Sequence, residues 1–440
     1  MLKGKNVLVC GLARSGKAAA ELLKKHGAFV TGTDTRSNVD LGGDILLRLG
    51  QQPDAFVHEF DLIIVSPGIS VYAPFVQKAY ELGIPVWGEA ELAYAFCPCP
   101  MIAITGTNGK TTVTTLVGEI LKLHNPGTVV AGNIGIPLTG LVDGLGENNI
   151  VVAEISSFQL ETIQNFRPKI SAVLNMTPDH LDRHGSMEVY IATKEKIFKN
   201  QRQNDKVVLN YDNSVTKKMR PPCDVVYFSK ETEPKSGVFV RGNAIYATSD
   251  IAVEHDLPIA NISDFKMMTE NALAAVAICL LAGVSASHIR FGLKSARAVE
   301  HRLELVSTID GVDFYNDSKA TNVDAAIKAL ESFAHRVVLI AGGVGKGADF
   351  APWVRLFKEK VSYLVLIGEA AEKIAKECTR IGFVNFEAAD SLREAVSIAK
   401  QKASRTVLFS PACASFDMFK DFEDRGLQYK ELVLSMQYAN

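Results

Sequence analysis

Short apolar runs alternate with amphipathic stretches along the whole chain. Near the amino end, "NVLVCG" (6–11), "AFVTGTD" (28–34) and "DLIIVSPG" (61–68) predict strands, and "SGKAAAELLKKHG" (15–27) predicts a helix. A middle stretch predicts strands at "IAITG" (102–106), "TVVAGNIG" (128–135), "NIVVAEISS" (149–157) and the front of "ISAVLNMTPDHLDRHG" (170–185), with a helix over "SMEVYIATKEKIFKN" (186–200). "NALAAVAICLLAGV" (271–284) is too short to span a bilayer and predicts a buried helix. The same alternation returns in "RVVLIAGGVGKG", "YLVLIGEAAEKIAKE", "VNFEAADSLREAVSIAK" and "TVLFSPACASFDMF". Continuous apolar runs bounded by turn residues predict parallel sheets covered by helices.

The rhythm restarts twice. Two prolines in "FCPCPM" (96–101) mark the first break, and charge gathers near "EHR" (300–302) at the second. The expected fold is α/β in three domains. These are a Rossmann-like N-terminal domain over 1–95, a central P-loop-type mononucleotide-binding ATPase domain over 96–298, and a C-terminal Rossmann-like α/β domain over 299–440. A length of 440 residues agrees with this count.

Composition removes some classes of function. With 47 basic and 49 acidic residues, no bulk charge points to nucleic acid or to an anionic membrane. Neither a membrane span nor a signal peptide is expected, since "MLKGKNVLVCG" runs directly into a strand. The seven cysteines contain no C-x-x-C pair, and "CPC" (97–99) lacks metal-ligand spacing, so reduced thiols in a cytoplasm are expected.

The chemistry begins at "TGTNGKTT" (105–112). The usual phosphate loop has a glycine where Ile104 stands, so this loop is clipped. Backbone N–H groups from Gly106 to Gly109 and the helix begun at Lys110 can still cradle an anion. Lys110 can reach outer phosphates and the Thr111 hydroxyl can take magnesium. An ordinary Gly-rich turn is the alternative. Glu154 ends a strand where parallel sheets bind ligands, and it could complete a magnesium site with Thr111.

Three other regions concentrate polar groups. Gly11-Leu12-Ala13-Arg14-Ser15-Gly16, with Asp34 ending the next strand, resembles a dinucleotide fingerprint lacking its middle glycine. That leaves a nicotinamide enzyme, a nucleotide diphosphate site shared with "SPGIS" (66–70), or a domain that binds nothing. "TPDHLDRH" places Asp179, His180, Asp182 and His184 on a loop suited to metal or proton transfer, or simply to solvent; the spacing is not that of zinc. Further on, Asp317 could hold a ribose, and Arg302 and Lys319 could neutralise phosphate charge. "GGVGKG" (342–347) has Gly347 where a hydroxyl residue should follow Lys346, so it reads as a carboxylate contact rather than a second ATP loop.

"GTNGKTT", "GNIG", "EISSFQLE", "TPDHLDRH", "YIATKEKIF", "ENALAA", "EHRLE", "NDSKATN", "GGVGKGADF" and "SPACASFDMFKDFEDRG" occur in this order. The set resembles the Mur ligase family of ATP-dependent amide ligases across all three segments, and the last motif resembles the branch that adds D-glutamate. The Asp-Asn-Pro-Arg motif of the diaminopimelate or lysine adders is missing, and folylpolyglutamate synthase lacks a nucleotide-type first domain. The resemblance implies ATP and Mg2+ as cofactors, UDP-N-acetylmuramoyl-L-alanine and D-glutamate as substrates, and a monomer acting in the cytoplasm. It also implies an acyl phosphate intermediate in peptidoglycan precursor synthesis.

The resemblance further implies residue roles. Gly106, Thr107, Asn108, Gly109, Lys110, Thr111 and Thr112 hold ATP phosphates, with Thr111 and Glu154 on the first magnesium. Asn271, Arg302 and Asp317 hold adenine, phosphate and ribose. His180 and Lys194 serve a second magnesium, Lys194 as a carbamate. Asn133 contacts the muramoyl group, and Ser15, Asp34, Thr35, Arg36, Ser66 and Gly68 lie where the uridine diphosphate binds. Lys319, Thr321, Lys346, Ser415 and Phe422 line the D-glutamate pocket. Lys110, His180, Lys194, Arg302 and Lys319 carry the catalysis.

Overall fold

The computed structural model describes residues 2–42, 45–252, 256–265, 267–296 and 300–436. The chain forms two compact units, Met1–Met176 with Ser186–Ala296, and Thr177–Gly185 with Arg297–Asn440. The expected domain boundary at 298–299 lies outside the described residues.

The first unit holds two sheets. The amino-terminal one has five parallel strands in the order Leu46–Leu47, Phe29–Thr33, Asn6–Cys10, Leu62–Val65 and Val86–Gly88. Val7, Leu8 and Val9 are fully buried, as a central parallel strand requires. Helix Arg14–Lys25 turns Ala19, Ala20, Leu22 and Leu23 inward and leaves its lysines outside. The second sheet has nine strands, with Met101–Thr105 between Ile150–Glu154 and Ile170–Val173. Behind it, helix Lys110–His124 packs on Thr269–Leu281. In that second helix every residue from Ala272 to Cys279 is buried, which is why its pattern is apolar all round.

Two glutamates fasten these sheets together. Glu91 accepts from the backbone N–H groups of Gln164, Asn165 and Phe166 at 3.0, 2.7 and 2.9 Å. Glu89 accepts from Thr139 N and Gln159 Nε2 at 3.1 and 3.0 Å, and burial raises its pKa. Both carboxylates are almost wholly buried, so each needs the donors it has.

The second unit is a six-stranded sheet in the order Glu304–Ile309, Val312–Asn316, Thr406–Phe409, Val337–Gly342, Val361–Ile367 and Phe386–Ala388. Apolar clusters cover both faces, one around Trp353, Phe350 and Phe357 and the other around Phe409, Tyr429 and Leu392.

Two details differ from a wholly parallel reading. Glu304–Ile309 pairs antiparallel with Val312–Asn316, and the far edge of the nine-stranded sheet, Gly237–Arg241 through Ala260–Asn261, is antiparallel too. Short hairpins need no crossover helix, so the βα rhythm does not announce them. Among the described residues no helix is long and apolar enough to cross a membrane.

Candidate active site

The clipped loop is a tight cradle. It leaves strand Met101–Thr105 with φ of 149° at Gly106 and re-enters helix Lys110–His124 through Gly109 at φ 84°. A Cβ on Gly109 would sit 2.5 Å from Asn271 Oδ1, so only glycine lets the turn pass beneath that amide. Asn175 pins the loop: Thr107 N donates to its carbonyl at 3.0 Å, Asn108 N to its Oδ1 at 2.8 Å, and its Nδ2 donates to Asn108 O at 3.0 Å. Lys110 Nζ folds back onto the carbonyls of Gly106 and Thr107 at 2.9 and 2.8 Å. Thr111 and Thr112 occupy the first turn of the helix. With Thr107 N and Asn108 N engaged by Asn175, the N-terminus of helix Lys110–His124 is the part of the turn best suited to an anion.

Glu154 ends the neighbouring strand, in register with Ile104. Its Oε1 accepts from Asn133 Nδ2 at 2.7 Å, while its Oε2 is buried without a hydrogen-bond partner. An orphaned, buried carboxylate oxygen suits a hard cation.

Lys194 is the second buried charge here. It lies in helix Met187–Glu195, and its Nζ donates to Thr105 Oγ1 at 3.1 Å and to Gly106 O at 2.9 Å. Tyr190, one turn earlier, puts its ring 5.0 Å from that amine and its hydroxyl 3.2 Å from Thr107 Oγ1. The two residues share one face, as their spacing of four predicts.

In the amino-terminal sheet, Gly11 (φ 82°) opens the first turn, and a Cβ on Gly16 would stand 1.9 Å from Gly11 O. Ser66 Oγ donates to that same carbonyl at 2.6 Å. Asp34 accepts from Leu12 N at 2.7 Å and from Arg36 Nε and Nη2, each at 2.9 Å. The Arg36 guanidinium holds the Asp34 carboxyl far below its usual range. Ser15, Thr35 and Gly68 line the same C-terminal edge, with Thr35 and Gly68 exposed. Arg14 reaches from this turn to the carbonyl of Gly135, beside Asn133.

The remaining candidates lie in the second unit. His180 (φ 53°) and Lys346 (φ 46°) adopt left-handed backbone, as do Leu303 and Ala412 beside Arg302 and Ser415. Each such residue costs about 1 kcal/mol or more, strain that gathers at functional sites. Asp179 draws the set together: Asn322 Nδ2 donates to its Oδ2 at 3.1 Å, Lys346 Nζ lies 4.0 Å from its Oδ1, and His180 Nε2 lies 3.7 Å from its Oδ2.

Asp317 is fully buried and accepts from Ser410 Oγ at 2.8 Å and Leu303 N at 3.3 Å, with Arg302 Nη1 at 3.6 Å. In this structure it anchors the Arg302 loop from below. Lys319 Nζ stands 4.5 Å over the Phe422 ring, and Thr321 follows on the same loop. Ser415 is 2% exposed, its carbonyl taken by Met418 N and Phe419 N. Glu300, His301 and Glu304 also cluster, yet both glutamates pair with Lys430 at 2.8 and 2.6 Å, which accounts for them as an ion-pair network.

Asn175 and Arg425 escaped the sequence reading. Asn175 stands directly ahead of the "MTPDHLDRH" motif, and Arg425 lies inside "FEDRG", but the partners of each are distant in sequence.

Family models match in three consecutive stretches: the Mur ligase MurD-like N-terminal domain at 5–88, the Mur ligase middle domain at 104–279, and the Mur ligase glutamate ligase domain at 301–413. The UDP-N-acetylmuramoylalanine--D-glutamate ligase of Pelotomaculum thermopropionicum is 45% identical, covering 98% of both chains. That of Caldicellulosiruptor bescii is 46% identical with the same coverage. Among solved structures, the UDP-N-acetylmuramate-alanine ligase MurC of Thermotoga maritima aligns with a TM-score of 0.60 at 19% identity, over 98% of this chain and 99% of its own. The MurF ligase of the same organism, in complex with ADP, gives 0.60 at 16% identity over 99% and 96%. Those two likenesses concern the fold, whereas full-length identity near one half reaches further: the chain belongs to the Mur ligase family.

Proposed function

We propose that the protein is an ATP-dependent ligase that joins D-glutamate to UDP-N-acetylmuramoyl-L-alanine in the cytoplasmic stage of peptidoglycan precursor synthesis. The observation that carries it is the clipped phosphate cradle standing beside Glu154 and its orphaned oxygen. The full-length likeness to D-glutamate ligases supports the choice of substrates.

A carboxylate is a poor acyl donor until one of its oxygens can leave as phosphate. In the proposed reaction the alanyl carboxylate attacks the γ-phosphorus of ATP, the bond to ADP breaks, and an acyl phosphate forms. The D-glutamate amine then adds to the acyl carbon. The tetrahedral adduct expels inorganic phosphate and the nitrogen loses a proton. Catalysis of this kind is mostly positioning and charge neutralisation. The loop N–H groups and Lys110 hold the phosphates, and Asn271 borders the cradle at Gly109. Arg302 and Lys319 supply positive charge, and Lys346, Thr321, Ser415 and Phe422 orient the amino acid.

Thr111 and Glu154 would hold Mg2+, which neutralises phosphate oxygens when bound. The Asn133 amide fixes the Glu154 rotamer for that task. Lys194 would serve a second Mg2+ after carbon dioxide has converted its amine to an anionic carbamate. At the amino-terminal sheet, the first turn, Asp34 to Arg36 and Ser66 to Gly68 would take the uridine diphosphate.

Oxygen-18 in the alanyl carboxylate provides the test. One labelled oxygen in the released phosphate is expected; unlabelled phosphate would defeat the acyl phosphate route.

A further inference from the structure

We propose that Arg425 is the positioning residue of the amino-acid pocket, a buried guanidinium fork that fixes the loops carrying Lys319, Thr321, Lys346 and Ser415 and favours an acidic substrate. The inference rests on the ligase reading above and names the residue that builds its selectivity.

Arg425 lies in the first turn of helix Phe422–Ser435 and is 1% exposed. Its Nε donates to Ser318 Oγ at 3.0 Å, and its Nη2 to the carbonyls of Ser318 and Cys413 at 2.8 and 3.1 Å. Nη1 faces Gly343, where an added Cβ would meet it at 3.3 Å and Ala414 O at 2.2 Å. Ser318 Oγ in turn donates to Phe422 O at 2.8 Å.

One planar group therefore touches the ends of three adjacent strands, Val312–Asn316, Thr406–Phe409 and Val337–Gly342. Ser318 immediately precedes Lys319, Cys413 lies just before Ser415, and Gly343 opens the loop to Lys346. The candidate pocket residues thus sit within a few positions of an Arg425 contact. A lysine could not substitute, because a point ammonium lacks the rigid fork that reaches several loops at once.

Charge gives the arrangement its second consequence. Among the described residues no carboxylate hydrogen-bonds to this guanidinium; its acceptors are two carbonyls and a hydroxyl. Nη1 is buried with no hydrogen-bond partner. Burial lowers the pKa to about 10, with Asp417 and Asp317 acting only through space, so the group stays cationic at neutral pH. A buried cation without a contacting anion leaves positive potential for a carboxylate nearby.

The test is steady-state ADP release by the full chain with UDP-N-acetylmuramoyl-L-alanine, ATP and D-glutamate. Arg425→Met and Arg425→Lys should each raise the D-glutamate KM by about tenfold or more, while the ATP KM moves less than about twofold. Ser318→Ala, a smaller change that removes the Nε acceptor, should shift the D-glutamate KM in the same direction; if the Arg425 variants do not fold, it decides alone. Equal rises in both KM values, or an unmoved D-glutamate KM, would overturn the inference while wild-type turnover still upheld the ligase reading. Wild-type protein that needs no D-glutamate would overturn both.

Discussion

Asn133 Nδ2 holds Glu154 Oε1 at 2.7 Å and leaves Oε2 buried with no partner. The amide orients the carboxylate and spares one oxygen for a cation. Glu154→Gln should therefore raise the Mg2+ concentration needed for half-maximal activity by about tenfold or more. Asn133→Ala should raise it by a smaller factor. A magnesium titration of ADP release reads both; unchanged requirements in the Gln variant would remove Glu154 from the metal site.

Lys194 touches Gly106 O at 2.9 Å, so its head group already lies against the phosphate loop. Lys194→Ala should lose about a hundredfold or more in activity, with partial recovery on adding short carboxylates that stand in for the carbamate. Exposed Lys199, close by in sequence, serves as control, and Lys199→Ala should retain activity. Loss without any rescue, together with a bare amine in crystals grown near neutral pH with nucleotide and Mg2+, would exclude the carbamate.

Asp317 predicts a pH signature. Burial outweighs the attraction of Arg302 and lifts its carboxyl from 3.8 to about 6. As pH rises the unfolded chain releases this proton first, so the stability Asp317 contributes is full below 3.8 and is lost on passing about 6. The loss is at most about 3 kcal/mol. Asp317→Asn lacks this titration. Its melting temperature should gain on the wild type as pH rises from about 4 to about 7. A variant that falls further behind over that range would mean that Arg302 dominates instead.

Glu91 gathers three backbone N–H groups of the 164–166 turn. Glu91→Ala would take away the acceptor that all three donors share and should destabilise the first unit by about 2 kcal/mol or more. Chemical denaturation followed by Trp87 fluorescence measures it, since Trp87 Nε1 bonds Gln164 in the same region at 3.2 Å. A change below about 1 kcal/mol would place the holding force elsewhere.

Local signals were the legible ones. Central strands announce themselves as apolar runs because parallel strands are buried on both faces, and Gly109-Lys110-Thr111 is readable because strand, turn and helix are contiguous. The strands between Lys206 and Asn261 were not read. They are short, have no α-helix between them among the described residues and are partly antiparallel, so no alternation of strand and helix marks them. Glu89 and Glu91 were not singled out in the sequence, since the partners that let them be buried lie some 50 to 75 residues onward. Arg425 is the extreme case. Its meaning comes from Ser318, Gly343 and Cys413, which only the sheet order brings together.

The central claim is a ligation, and the direct measurement is of its products. Purified protein with Mg2+ and ATP should release ADP only when UDP-N-acetylmuramoyl-L-alanine and D-glutamate are both present. Mass spectrometry should find one new UDP-linked product heavier by one glutamyl residue, and Lys110→Ala should form none. ADP release independent of D-glutamate, or a product carrying a different amino acid, would contradict the account.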